Sequence, residues 1–238
     1  IFIGDSHVEY FSRSKLNTID FFFQNCSSIW LGPKTVLGFS YQKDKKDIFN
    51  KIFEKINMLN FNKKQKICVI WSMGNIDIRY YLYEMLIREI IQSDSEILEL
   101  FDKSIDYVLK DFLFPIKRKL NVLFPNKEIN IAYSLCSNTI INGNEPETIK
   151  KINQLKKLKD FPTFGTIRKR QNWTKLINKL IINKCKNNQI LYYEHILINE
   201  KNISLEYTND GIHLTDPNQI DSANLNFLNH LECNKNET

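Results

Sequence analysis

A chain of 238 residues that is 42% hydrophobic and 25% charged can bury one full core, and a single α/β domain is the expectation at that length. Its formal charge of +6 is spread through a composition rich in Lys, Asn and Ile, and the absence of any run of about 18 apolar residues excludes a membrane-spanning helix within the sequence. The five cysteines, Cys26, Cys68, Cys136, Cys185 and Cys233, show neither CxxC spacing nor His partners, which argues against a zinc site and a dense disulfide framework. No metal or cofactor is therefore expected. Cys68 and Cys136 sit in apolar runs and read as buried thiols, with a reducing compartment such as the cytoplasm as the default. The sequence starts at Ile1, already inside an apolar run, which leaves room for an upstream signal peptide or domain.

In chain order, strands are predicted at 1–3 (IFI), 27–31 (SSIWL), 67–72 (ICVIWS), 129–135 (INIAYSL) and 189–195 (QILYYEH). Most of these runs are continuously apolar, as suits strands covered on both faces of a parallel sheet. A helix is predicted over DIFNKIFEKINML. A long helical region follows from Tyr80 to Leu123, broken near Ser93 and bent or ended near Pro115.

The irregular stretch from Asn142 to Gly165, after the fourth strand, is placed to act as a substrate-side flap. Within and beyond it, KKINQLKKLKDF from Lys150 and IRKR at 167–170 form the strongest basic segment. Nucleic acid is one conceivable partner for such a segment. However, Ile152, Leu155 and Leu158 recur at helical spacing, so an amphipathic helix with a solvated charged face is preferred and no nucleic-acid partner is expected. WTKLINKLIINKC gives the next helix. Strand and helix alternate throughout, which is the pattern of an α/β doubly wound domain over residues 1–232, with 233–238 as a tail.

Two short blocks carry chemistry. In IFIGDSH, Gly4 permits a tight strand exit, Asp5 can tie down the turn, and Ser6 is presented at the carboxyl edge of the sheet, ahead of a helix starting near Val8 or Glu9. A serine needs a base held by a third group. Among His7, His195, His213 and His230, only His213 has a carboxylate at a matching turn position, Asp210 in DGIH. Thr215, Asp216 and Pro217 then start a helix behind it. His195, ending the fifth strand, is a remote alternative base.

GDSH at the first strand and DGIH near the end of the chain, enclosing five parallel strands, resemble the SGNH (GDSL-like) hydrolase superfamily over nearly the whole sequence. The resemblance implies a three-layer α/β/α flavodoxin-like fold with a five-stranded parallel sheet. It implies Ser6 as nucleophile, His213 as base and Asp210 as its orienting carboxylate. It also implies oxyanion donors from the Ser6 amide, from a glycine after the second strand (Gly32, with Gly38 as second choice), and from an asparagine after the third. That asparagine is where the sequence departs: the family's Gly-x-Asn-Asp aligns to Gly74, Asn75, Ile76 and Asp77, putting Ile76 at the donor position and Asn75 one residue out of register. Either a bulge swings Asn75 into the hole or other groups fill it.

GNIDIR at 74–79 also resembles a Gly-Glu-Ile-Asp-Cys-Arg block found in a subgroup associated with surface polysaccharides. Arg79 then either grips an acidic sugar or forms a salt bridge with Asp77 or Glu84, and Asp77 braces the nucleophile turn. The activity implied is a serine esterase acting on O-acyl esters, with acetyl on a carbohydrate as the leading substrate. An O-acyltransferase and a catalytically weak glycan-binding domain are the alternatives.

Overall fold

A computed structural model describes residues 1–4, 28–31, 35–39, 45–58, 66–137, 141–158 and 162–193. The five apolar runs form strands β1 (Phe2–Gly4), β2 (Ser28–Trp30), β3 (Ile67–Ser72), β4 (Ile129–Ser134) and β5 (Leu191–Tyr193). All neighbours pair parallel, in the order β2-β1-β3-β4-β5, which is the flavodoxin-like order. Alternate side chains go to opposite faces. Ile3, Ile29, Val69, Trp71, Ile131 and Tyr133 join one core, whereas Phe2, Ile70, Ala132 and Tyr193 form a second buried row. Burial on both faces explains why these strands read as continuous apolar runs.

The first face is covered by helices. After β2 comes a single turn, α1 (Val36–Phe39), then α2 (Lys45–Asn57), which buries Ile52, Phe53 and Ile56. After β3 a π-helical turn (Asp77–Tyr81) leads into α3 (Leu82–Ile87). Ser93 then ends the break and caps α4 (Asp94–Val108), accepting from the Glu96 amide at 3.3 Å. Of the two expectations at Pro115, a bend or an end, the helix does not end there. A second π turn (Leu109–Leu113) runs straight into α5 (Phe114–Leu123), with Pro115 in its first turn. The widened turn accommodates a ring that would clash with the carbonyl four residues back in a regular helix. Phe39, Trp71 and Phe112, with ring centroids 4.8–5.5 Å apart, lock α1, β3 and this second π turn together.

The segment read as an irregular flap contains a helix, α6 (Ile149–Leu158), and is closed at its neck. Asn144 bridges to Phe164, with the Asn144 amide donating to Thr163 at 2.9 Å and the Gly165 amide to Asn144 at 2.8 Å. On α6, Ile152 is buried and Leu155 half-buried while Lys150, Lys151 and Lys157 are exposed, as the amphipathic reading expects, but Leu158 at the end of the helix is exposed and does not join the buried face. Thr166 caps α7 (Ile167–Asn187). Cys68, Cys136 and Cys185 are free thiols, and burial pushes Cys68 up to about 11 and Cys185 up to about 12. No described helix is long and apolar enough to cross a membrane.

The exit from β3 turns on Gly74, whose φ is +121°. A Cβ there would also lie 2.6 Å from the Cys136 sulfur. Gly74→Ala is expected to cost about 1–3 kcal/mol, seen as a lower urea midpoint. Adding Cys136→Ala should return only the steric part, because the backbone angle remains unfavourable.

Candidate functional site

In an open parallel sheet the chain leaves neighbouring strands in opposite directions at one point, and a crevice opens beyond their carboxyl ends. Here β1 connects to β2 on one side and β3 connects to β4 on the other, so that point lies between β1 and β3, where Gly4 pairs with Ser72. Gly74, Asn75, Asp77 and Arg79 follow within one turn or two of that edge. Ser6 follows Gly4 by two residues in sequence. Ser6, Gly32, Asp210 and His213, together with His7, His195 and His230, lie outside the described residues.

Asp77 is fully buried. Its Oδ2 accepts from the Val36 amide at 2.7 Å and its Oδ1 from the Leu37 amide at 3.1 Å. A buried carboxylate is costly unless its oxygens are bonded, and two backbone amides at a helix start meet that requirement. The brace therefore reaches the segment after β2. In the same turn the Gly38 amide donates to Thr35 Oγ1 at 2.8 Å, so this donor is engaged and Gly38 does not fit the oxyanion role that was its second-choice assignment.

Asn75 is 8% exposed. Its Oδ1 accepts from the Ser137 amide at 2.8 Å and from the Ser137 hydroxyl at 3.0 Å. A backbone amide can only donate, so the oxygen end of the carboxamide faces Ser137 and the NH2 end faces away. Ile76, at the position aligned with the family's asparagine, is buried in the core. The π turn begins at Asp77, after Asn75, so it does not produce the one-residue offset.

Arg79 is half-buried, and its carbonyl accepts from the Phe164 amide at 2.8 Å, docking the flap neck onto this turn. Glu84 is not its salt-bridge partner, because that carboxylate is held by Tyr80, Arg88 and Lys156. Arg170, read in sequence as part of a basic surface, is buried instead. It donates to the carbonyls of Phe164, Gly165 and Ile141, on both sides of the flap neck. Burial, and secondarily the charge of Arg79, pull its guanidinium down to about 10.

Beyond misplacing Arg170 on the surface, sequence reasoning passed over Ser137 and Asn178. Asn178 on α7 accepts from the Cys136 amide at 2.7 Å and donates to the Cys136 carbonyl at 2.9 Å. The available signal was a row of polar residues, Arg170, Thr174 and Asn178, spaced four apart along the buried stripe of a helix.

No protein-family model matches the chain, and no curated protein matches it in sequence. Among solved structures it is similar to a GDSL-like lipase from Bacteroides thetaiotaomicron, with 15% identity and a TM-score of 0.44, covering 97% of this chain and 85% of that one. It is also similar to a candidate acylhydrolase from Bacteroides fragilis, with 14% identity and a TM-score of 0.47, covering 97% and 84%. At such identity the reading of the site rests on the residues themselves.

Asp77→Asn places an NH2 against one of two amide donors, and a loss of about 2 kcal/mol is expected. Urea unfolding measures it. Amide exchange at Val36 and Leu37 should quicken in the same variant, whereas unchanged exchange there would show that the cap is not what holds α1.

Proposed function

We propose that the chain is a serine esterase of the SGNH type acting on O-acyl esters. The observation that carries this reading is that Ser137 fixes the Asn75 carboxamide by its oxygen just past the carboxyl end of β3, the strand paired with the β1 strand whose Gly4 opens GDS. DGIH supplies the expected base and carboxylate in sequence. Ser6 Oγ attacks the ester carbonyl while His213 takes its proton, oriented by Asp210. The tetrahedral oxyanion accepts from the Ser6 and Gly32 amides and from Asn75 Nδ2. His213 then protonates the leaving alcohol, and water repeats the sequence to release the acid and restore Ser6.

The substrate proposed is an O-acetyl ester on an acidic carbohydrate, with Arg79 as the group that reads its negative charge. A sugar hydroxyl replacing water in the second step makes the same site an O-acyltransferase. Ile76, buried at the aligned donor position, favours one further reading, a catalytically weak glycan-binding domain.

A fluorophosphonate probe tests the assignment. Mass spectrometry should find the label on Ser6 of the wild type and on neither Ser6→Ala nor His213→Ala. A folded wild type that takes no label gives the lead to the glycan-binding reading. Asn75→Ala should lower kcat on p-nitrophenyl acetate by about 100- to 1000-fold. Arg79→Ala should raise KM for acidic acetylated sugars and leave neutral ones alone.

A further inference from the structure

Asn178 is remote in sequence from every residue assigned to the proposed chemistry, yet both ends of its carboxamide close on one residue, Cys136. The next residue, Ser137, gives both of its donors to Asn75 Oδ1. All four residues are buried, and the Cys136 sulfur occupies the space that a Cβ on Gly74 would need. We propose that Asn178 and Ser137 form a two-link relay that sets the direction of the Asn75 carboxamide, making both of them positioning residues for the oxyanion donor. The inference rests on the esterase reading given above.

A carboxamide has two nearly isosteric ends, one donating and one accepting, so its hydrogen-bond partners decide which end faces where. With Ser137 donating twice to the oxygen, the NH2 end is the one left for an oxyanion. If the loop after β4 drifts, the carboxamide is able to rotate by half a turn. It then presents a lone pair to the developing negative charge, replacing attraction by repulsion. Asn178 opposes that drift because two bonds to the amide and carbonyl of a single residue fix its rotation as well as its position. The effect belongs to the transition state, where the charge develops, and so to kcat rather than KM.

The test is hydrolysis of p-nitrophenyl acetate by the full chain, comparing Asn178→Ala, Asn178→Asp and Ser137→Ala, each alone and combined with Asn75→Ala. Asn178→Ala should lower kcat about 10- to 100-fold with KM changed less than about threefold. Asn178→Asp retains the acceptor for the Cys136 amide and should recover part of that loss, and it serves in place of the alanine variant if the latter fails to fold. In the Asn75→Ala background neither Asn178 nor Ser137 variants should reduce kcat further, because the group they position is gone. Losses of equal size in both backgrounds would mean that Asn178 is only structural and would overturn the relay. Ser6→Ala reads the underlying proposal separately. Equal turnover with and without Ser6 sinks the serine mechanism and the relay's role with it. Ser6-dependent turnover with additive Asn178 and Asn75 losses overturns the relay alone.

Discussion

The carboxylate of Asp77 joins two segments whose strands never touch. β2 and β3 flank β1 on opposite sides, and Asp77, just after β3, holds the amides of Val36 and Leu37, which follow β2. The bond pair thus spans the end of β1. A charge buried without partners costs several kcal/mol even after relaxation, so Asp77 is tolerable in the interior only while both amides are in place. Those amides, at the start of a four-residue helix too short to be stable alone, are in turn ordered by the carboxylate. Each segment is conditional on the other. The aromatic contact of Phe39 with Trp71 and Phe112 then ties this mutual dependence to the core.

On the other side of β3 the corresponding junction uses neutral groups. Asn75 to Ser137 and Asn178 to Cys136 connect the exits of β3 and β4 to α7 by amide and hydroxyl bonds, each worth about 1 kcal/mol net. Arg170, two turns before Asn178 on the same helix, fastens the flap neck by three carbonyls. One face of α7 therefore governs both the loop after β4 and the flap that follows it. The carboxyl edge is assembled from interactions between loops, positioned by strands and one long helix, rather than within any single loop.

The strands were legible because their chemistry is local. Five apolar runs coincide with five parallel strands, with ends moved by only one or two residues, as for 129–135 against Ile129–Ser134. Ser93 and the stripe of α7 were legible for the same reason. The helical region to Leu123 was legible too, but the π turn before Pro115 was not, because it is an arrangement of backbone bonds with no side-chain signature. Arg170 was misread since its partners are carbonyls, and a carbonyl leaves no mark in sequence. Asn75 could be named as a donor candidate beside Gly74, but the bond that orients it comes from a serine 62 residues away.

The two junctions also divide the electrostatics in a way that bears on the proposed mechanism. Asp77 lies two residues from Asn75, so a negative charge sits close to the place where an oxyanion is proposed to form. Two like unit charges ~8 Å apart repel by about 2 kcal/mol at the effective dielectric of a protein site, enough to slow a reaction by more than tenfold. The Val36 and Leu37 amides point their positive ends at the carboxylate and offset part of its field, so under the proposed mechanism the cap also lowers the repulsion felt by the oxyanion. Among the described residues, the Asn75, Ser137, Cys136 and Asn178 groups on the other side of β3 are uncharged, with Asn75 held by its oxygen and Asn178 by both ends. In the proposed mechanism, donors fixed in this way meet a charge that appears only in the transition state, against a carboxylate field that the cap weakens.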